Sequence, residues 1–296
     1  MSDLYLAIDL GGSHLRYATM QKDQFQLLDK EKSPQTPDDF YWSLGQILDK
    51  LPQAPVGIGL ALAGTVDHKR GLLLHPANLP SWKVEPIQRE IFQRFGLPCQ
   101  IGNDANLACL GEAVFGAGQG VQNLLMMTLG TGIGSGTMIE GLLLQGAGGL
   151  AMEAGHIPVS SEGPICGCGG RGHLESFASG TALARMAKAK GLVVQRAEEV
   201  FQLARTDPAA QAVIEEGTGY LALGLVALVH LLDPEVILFG GGMSDQWEDY
   251  VQPAIKIMEK QLMPVYQGKI KVRPAKLGDD AGLWGAIALV RDASRG

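Results

Sequence analysis

The sequence predicts an α/β protein built from two similar halves, and three observations carry that expectation. Apolar runs of strand length alternate with amphipathic helical patterns along the whole chain. The chain opens with a strand, a glycine turn and a second strand: Leu4 to Ile8, then Asp9-Leu10-Gly11-Gly12-Ser13, then Leu15 to Met20. The same arrangement returns about 120 residues later, one domain length on. There Leu124 to Thr128 leads into Leu129-Gly130-Thr131-Gly132-Ile133-Gly134-Ser135-Gly136, and Thr137-Met138-Ile139 leads out.

The remaining elements follow in order. Asp38 to Leu51 reads as a helix with Leu44, Ile47, Leu48 and Leu51 on one face. Val56 to Ala63 is a strand ending at Gly64-Thr65-Val66-Asp67, and His75 to Trp82 is a loop that carries Asn78 and two prolines. Glu85 to Phe95 is a helix, and Pro98 to Ile101 leads into Gly102-Asn103-Asp104-Ala105-Asn106. Leu107 to Phe115 is helical, which sets Asp104 near a helix N-terminus, either as a cap or as a carboxylate that accepts a proton. A domain boundary falls at Gly116-Ala117-Gly118-Gln119-Gly120.

In the second half, Thr181 to Lys190 is a helix closed by Gly191. Asp207-Pro208 caps and starts another that runs to Leu232, with an interruption near Gly217 and an apolar, buried second half. Glu235 to Phe239 is a strand, followed by Gly240-Gly241-Gly242-Met243-Ser244 and a helix from Gln246 to Lys260. Lys269 to Ala275 is the last strand, and Leu277 to Ala286 opens the last helix.

Bulk composition narrows the function classes. The chain has 296 residues, 46% of them hydrophobic, with 40 glycines and no low-complexity segment, so a full core and little disorder are expected. A net charge of −7 without a basic cluster weighs against nucleic acid as a partner. Met1-Ser2-Asp3 carries no basic n-region, and the longest apolar run, Tyr220 to Leu232, is short for a bilayer and contains His230. The expectation is a cytoplasmic protein without a membrane segment, whose four cysteines stay reduced.

Glycine turns of this kind let backbone N–H groups face a phosphate, and Asp9 at the mouth of the first could hold Mg²⁺, usually through water. Each turn alone could equally be an ordinary hairpin. Two of them, opening successive β/α halves, suggest a duplicated domain that takes a nucleotide. His156, Cys166, Cys168 and His173 lie within eighteen residues and could form a Cys₂His₂ zinc site, although the Cys-x-Cys spacing is not that of a standard finger. The alternative is two reduced thiols in a tight loop and two unrelated histidines. Cys99 and Cys109 lie in apolar surroundings and read as core thiols.

Taken together in this order, the motifs resemble the sugar kinases of the ROK family (repressor, open reading frame, kinase), most like its glucokinases. The resemblance covers nearly the whole chain. It rests on Asp9-Leu-Gly-Gly-Ser with Arg16, Asn103-Asp104-Ala-Asn106, Leu129-Gly-Thr-Gly-Ile-Gly, Glu153-Ala-Gly-His156, Cys-Gly-Cys-Gly through Glu175, Gly240-Gly-Gly-x-Ser244, and Gly278 to Ala286. It implies an actin-like ATPase (ribonuclease H-like) duplicated fold of two α/β domains with an interdomain cleft. Residues 1–116 with 283–296 would form the smaller domain, and 117–282 the larger one with the zinc loop.

Carried over to this sequence, Asp104 would be the catalytic base. Asn78, Asn103, Asp104, Glu153, His156 and Glu175 would meet the sugar, with His156 also ligating a structural Zn²⁺. Gly11, Gly12, Ser13, Gly130, Thr131 and Gly132 would hold ATP phosphates, Asp9 would sit near Mg²⁺, and Gly241 and Gly242 would contact adenosine. The partners implied are a hexose and ATP, with a homodimer as the family's assembly. Two positions depart from the family pattern: His173 stands where its third cysteine is usual, and Ala63 where proline is common. Repressor members carry a DNA-binding helix-turn-helix ahead of the first hairpin; with that hairpin starting so close to Met1, none is expected here. The reading is transfer of the ATP γ-phosphoryl group to a hexose hydroxyl, with glucose first. Kinases for N-acetylmannosamine, N-acetylglucosamine or fructose, a non-catalytic sugar sensor, and a sugar-indifferent ATPase are the alternatives.

Overall fold

The computed structural model describes residues 2–76, 79 and 81–294. Contacts divide the chain into two units, Met1–Gly120 with Leu143–Ala151 and Asp279–Gly296, and Val121–Leu142 with Met152–Gly278.

In the first unit, strands β1 (Leu4–Leu10), β2 (His14–Gln21), β3 (Gln24–Lys32), β4 (Gly57–Leu62) and β7 (Cys99–Asn103) form one sheet in the order β3-β2-β1-β4-β7. The first three are antiparallel neighbours, and β4 and β7 join parallel. β5 (Gly64–Asp67) and β6 (Leu72–Pro76) make a separate antiparallel ribbon. Successive side chains of a strand face opposite sides, and β1 shows it. Leu6, Ile8 and Leu10 enter one core with Phe40, Leu44 and Ile47 of α1 (Pro37–Lys50) and Ile87 and Ile91 of α2 (Ile87–Phe95). Ala7 enters the other, beneath Leu107 of α3 (Asp104–Phe115) and Leu283, Ala286 and Ile287 of α9 (Ala281–Ala293).

That second face is lined with small residues because α9 presses directly on it. A Cβ on Gly59 of β4 would run into the Ala286 carbonyl. α3 and α9 meet as closely: a Cβ on Gly111 would stand 2.8 Å from the Gly285 nitrogen, and one on Gly285 would collide with the Leu107 carbonyl. The last helix is therefore an integral layer of the first unit.

The second unit repeats the plan. β8 (Leu124–Leu129), β9 (Ile133–Ile139), β10 (Leu142–Leu143), β11 (Val236–Gly240) and β12 (Lys271–Pro274) run β10-β9-β8-β11-β12. Again an antiparallel hairpin is followed by parallel strands. The helices are α4 (Glu175–Ala178), α5 (Gly180–Ala189), α6 (Ala197–Leu203), α7 (Pro208–Leu232) and α8 (Gln252–Gln261).

Several elements differ from the sequence reading. β3 appears where no element is predicted; it has no fully buried residue and is mostly exposed, which leaves almost no apolar run to read. Gly64–Asp67 is itself a strand, and β6 takes in His75 and Pro76. α7 is continuous across Gly217, where a Cβ would stand 2.5 Å from Leu183 Cδ2: the glycine serves helix packing rather than a break. At 25 residues, α7 is long and apolar enough by length and composition to cross a bilayer, and its most apolar window is 56% buried within the unit. Its burial is one-sided, since Leu223 and Leu231 are exposed. The helix expected from Gln246 is preceded by a 3₁₀ turn, Gly242–Asp245, starts as a π turn, Trp247–Val251, and becomes α-helical at Gln252. Pro253, which has no N–H for the ladder, follows that widened turn. Leu143–Ala151, read as part of the larger domain, joins the first unit. Gly149 lies so close to the Val66 carbonyl that a side chain would not fit, and Lys69 Nζ donates to Ala147 O at 3.3 Å.

Candidate functional site

Asp9 and Arg16 are cross-strand partners in the β1–β2 hairpin. The guanidinium of Arg16 pairs with the Asp9 carboxylate and reaches Asp280 Oδ1, 3.4 Å away, just ahead of α9. Burial pushes the Asp9 carboxyl above its ordinary value against the pull of Arg16, and Asp280 and Asp279 push the same way. A divalent cation beside Asp9 would relieve both the burial cost and the repulsion, so the donor set suits Mg²⁺.

The turn between the strands is held from below. Gly11 N donates to His14 O at 3.0 Å, Ser33 N donates to Ser13 O at 3.1 Å, and the Ser33 hydroxyl donates to Gly11 O. The N–H groups of Gly12 and Ser13 donate to no acceptor among the described residues. Two uncommitted donors on a glycine turn form an anion cradle. Ser33, Arg16 and Asp280 received no role from the sequence: Ser33 follows a strand that has no apolar pattern, and Asp280 is distant in the chain.

At the β7–α3 junction, the helix cap is Asn103 rather than Asp104. Asn103 Oδ1 accepts from Ala105 N at 3.0 Å and Asn106 N at 3.1 Å, and Nδ2 donates to Gly64 O at 3.0 Å. Asp104 is the first helical residue, half-buried, with Oδ1 accepting from Ala105 N at 2.9 Å. The helix N-terminus favours its negative charge. Asn78 lies outside the described residues.

In the second unit, the turn after β8 closes with Gly130 N donating to Gly132 O at 3.0 Å. The start of α5 anchors it: Gly180 N donates to Gly130 O at 2.8 Å and Thr181 N to Thr131 O at 3.3 Å. Ile133 N donates to Glu175 Oε2 at 2.9 Å. The N–H groups of Thr131 and Gly132 have no acceptor among the described residues, which matches the first turn. Gly241, at φ 82°, passes so near the Leu129 carbonyl that only glycine fits, which sets Gly241-Gly242 beside this turn. Ser244 donates to Gly241 O through its N–H at 2.9 Å and its hydroxyl at 2.7 Å.

His156, Cys166, Cys168 and His173 converge, with all four ligand atoms within 4.8 Å of one another. His156 Nδ1 is 3.4 Å from Cys166 Sγ and His173 Nδ1 is 3.2 Å from Cys168 Sγ. Two sulfurs and two imidazole nitrogens at these separations suit a tetrahedral ion. Cys166 N donates to Gly170 O at 2.7 Å and Gly169 N to Cys166 O at 2.9 Å, so a tight turn presents both thiols. Burial pushes the Cys166 thiol up. His156 Nε2, left over from the cluster, stands 3.8 Å from Glu153 Oε2. Cys99 and Cys109 are buried elsewhere, in apolar surroundings.

A profile of the ROK family matches residues 5–293. The chain belongs to the ROK family. A glucokinase of Halalkalibacterium halodurans is 33% identical, over 98% of this chain and 96% of that protein. Among solved structures, the ROK hexokinase of Thermus thermophilus has a TM-score of 0.86 and 30% identity, over 99% of this chain and 100% of that one. A ROK glucokinase of Streptomyces griseus, solved with glucose and AMPPNP, has a TM-score of 0.81 and 33% identity, over 98% of this chain and 99% of that one. The two five-stranded α/β units of this ROK chain thus have the actin-like ATPase fold. The His-Cys-Cys-His cluster is consistent with the zinc motif of the ROK family.

Proposed function

We propose that this chain transfers the γ-phosphoryl group of ATP to a hexose hydroxyl, with glucose to glucose 6-phosphate first among the candidates. The observation that carries the reading is the pair of matched glycine turns. Gly12 and Ser13 in one, and Thr131 and Gly132 in the other, offer uncommitted N–H groups. Phosphoryl transfer spreads negative charge over the phosphoryl oxygens, and positioned N–H donors stabilise that charge without covalent chemistry.

Asp104 takes the proton of the attacking hydroxyl as its oxygen bonds to phosphorus and ADP leaves with the electrons of the broken P–O bond. Its place at the start of a capped helix fixes the carboxylate. Asn103, Glu153, His156 and Glu175 hold the other hydroxyls, each of which both donates and accepts; Asn78 joins this set from sequence alone. Gly241 and Gly242 meet adenosine. Mg²⁺ at Asp9 would neutralise phosphate charge, and Zn²⁺ on His156, Cys166, Cys168 and His173 would brace the loop that presents His156 and Glu175. The glucokinase names of relatives along the full chain favour glucose over N-acetylmannosamine, N-acetylglucosamine and fructose.

The test is a panel of these four sugars in a coupled ADP assay with wild type and Asp104→Asn. Sugar-dependent ADP formation is expected, with glucose turned over fastest. The variant should lose at least about 100-fold in kcat while binding sugar as before. Undiminished turnover in Asp104→Asn would remove the base assignment. Sugar binding without ADP would favour a sensor, and ADP formation indifferent to sugar would favour a plain ATPase.

A further inference from the structure

Glu175 touches two motifs that the sequence presents as separate. One carboxylate oxygen, Oε2, accepts from Ile133 N at 2.9 Å, at the exit of the Gly130-Thr131-Gly132 turn. The other, Oε1, lies 3.8 Å from Cys166 Sγ in the His-Cys cluster. Gly132 is bare beneath the carboxylate, since a Cβ there would run into Oε2. Two further bonds, from Gly180 N to Gly130 O at 2.8 Å and from Thr181 N to Thr131 O at 3.3 Å, fasten the same 175–181 segment to the same turn. The turn is thus framed by a bracket of three hydrogen bonds. Two of them are backbone to backbone, and only one depends on a side chain.

That side chain is also one of the proposed sugar partners. A hydroxyl bound to Oε1 would fix the carboxylate's rotation, and with it the Oε2 acceptor that sets the Ile133 N–H. The turn whose Thr131 and Gly132 donors await phosphate would then be held before nucleotide arrives. We propose that Glu175 is a positioning residue that couples the two substrates: sugar on one carboxylate oxygen orders the phosphate turn through the other. Coupling of this kind is reciprocal, so nucleotide tightens sugar binding by the same factor. The inference rests on the kinase reading and adds to it a coupling between the sugar and phosphate positions.

The experiment measures AMPPNP affinity with and without saturating glucose, or whichever hexose the ADP panel selects. Wild type, Glu175→Gln, Glu175→Ala and Gly132→Ala are compared, together with hydrogen exchange at the Ile133 amide. Wild type should bind AMPPNP about 5- to 150-fold more tightly when sugar is present, and sugar alone should slow exchange at Ile133. Glu175→Gln keeps an oxygen for Ile133 N and should keep most of that factor. Glu175→Ala should bring the ratio close to one. Gly132→Ala pushes the carboxylate off the turn and should lose the coupling; sugar affinity and AMPPNP affinity are each measured alone, so that the ratio separates lost coupling from a weakened contact to either substrate. A wild type that makes ADP but shows a ratio of one, or a Gly132→Ala variant that keeps the wild-type ratio and exchange protection, overturns the coupling and leaves the kinase reading standing. A chain that binds no sugar overturns both.

Discussion

Asn103 Nδ2 donates to the carbonyl of Gly64 at 3.0 Å, while its Oδ1 caps α3. One amide thus ties the end of β7 to the start of β5 and fixes the helix that begins with Asp104. The two jobs can be separated. Asn103→Ala removes both and should lower stability by about 0.5–2 kcal/mol, the usual worth of a cap. Asn103→Asp keeps the cap acceptor but leaves Gly64 O without its donor and sets a second carboxylate beside Asp104. Its Tm should lie between those of wild type and the alanine variant, while its kcat falls well below wild type. Thermal unfolding and the ADP assay check the pair; an aspartate variant with full activity would show that the Gly64 tie does not position Asp104.

The α3–α9 contact makes a second prediction. A methyl group on Gly285 would collide with the Leu107 carbonyl, and backbone cannot move aside as a side chain can. Gly285→Ala should destabilise by at least about 1–3 kcal/mol, as overpacking does. Gly282, on the same helix, has only ordinary neighbours, Asp9 Oδ2 at 3.5 Å and Ala61 Cβ at 3.6 Å from a built Cβ. Gly282→Ala should hold or gain stability through helix propensity. The denaturant midpoint of Gly285→Ala should fall below wild type, and that of Gly282→Ala should stay at or above it. Equal losses would mean that propensity and close approach do not separate these glycines.

The contrast between those glycines marks what the sequence conveys. Asp9 with its turn, the Gly130 turn and the convergence of the four Cys and His side chains are legible because each is carried by neighbours in the chain. The duplicated strand order follows from the same repeated hairpin. Asn103 and Asp104 are adjacent good capping residues, and nothing in their order says which accepts the helix N–H groups. β3 is invisible because an exposed edge strand needs no apolar face. Gly217, Gly59 and Gly285 read as breaks or as nothing, since their role is set by a partner dozens of residues away. Ser33 and Asp280 become site residues only once the hairpin and α9 are placed.

The His-Cys cluster predicts a metal-linked stability. Two thiolates and two imidazoles brought together by a tight turn repel or lie idle without an ion and bind one as a unit. Chelator treatment should remove one zinc per chain by elemental analysis and lower the Tm. Zinc at about 1,000 times its dissociation constant would restore about 4 kcal/mol. Cys168→Ser, which changes an exposed thiol outside the core, should abolish the chelator effect on Tm. His173→Cys should preserve it, since a thiolate suits the same ion. A Tm in Cys168→Ser that still drops on chelation would remove Cys168 from the ligand set.

His68 supplies a pH dependence from a different part of the fold. It sits on the β5–β6 turn against Gly149, and its buried Nδ1 has no hydrogen-bond partner among the described residues. Burial lowers its pKa below the ordinary 6.5, Lys69 lowers it further, and Asp67 opposes them. The fold therefore favours neutral imidazole, whereas the unfolded chain binds a proton once pH drops below about 6.5. Stability from this group is fully present above that value and is lost as pH falls from there toward the depressed native value. Replacing the ring by a non-titrating amide removes the proton that drives the loss. His68→Gln should match wild type in the slope of Tm against pH above about 7 and show a shallower fall on the acid side. Carboxylates elsewhere titrate in both proteins, so the difference between the two curves isolates His68. Parallel curves from neutral pH down to about pH 5 would mean that the ring is protonated as readily in the fold as in the open chain, and that the 143–151 segment packs on it without regard to charge.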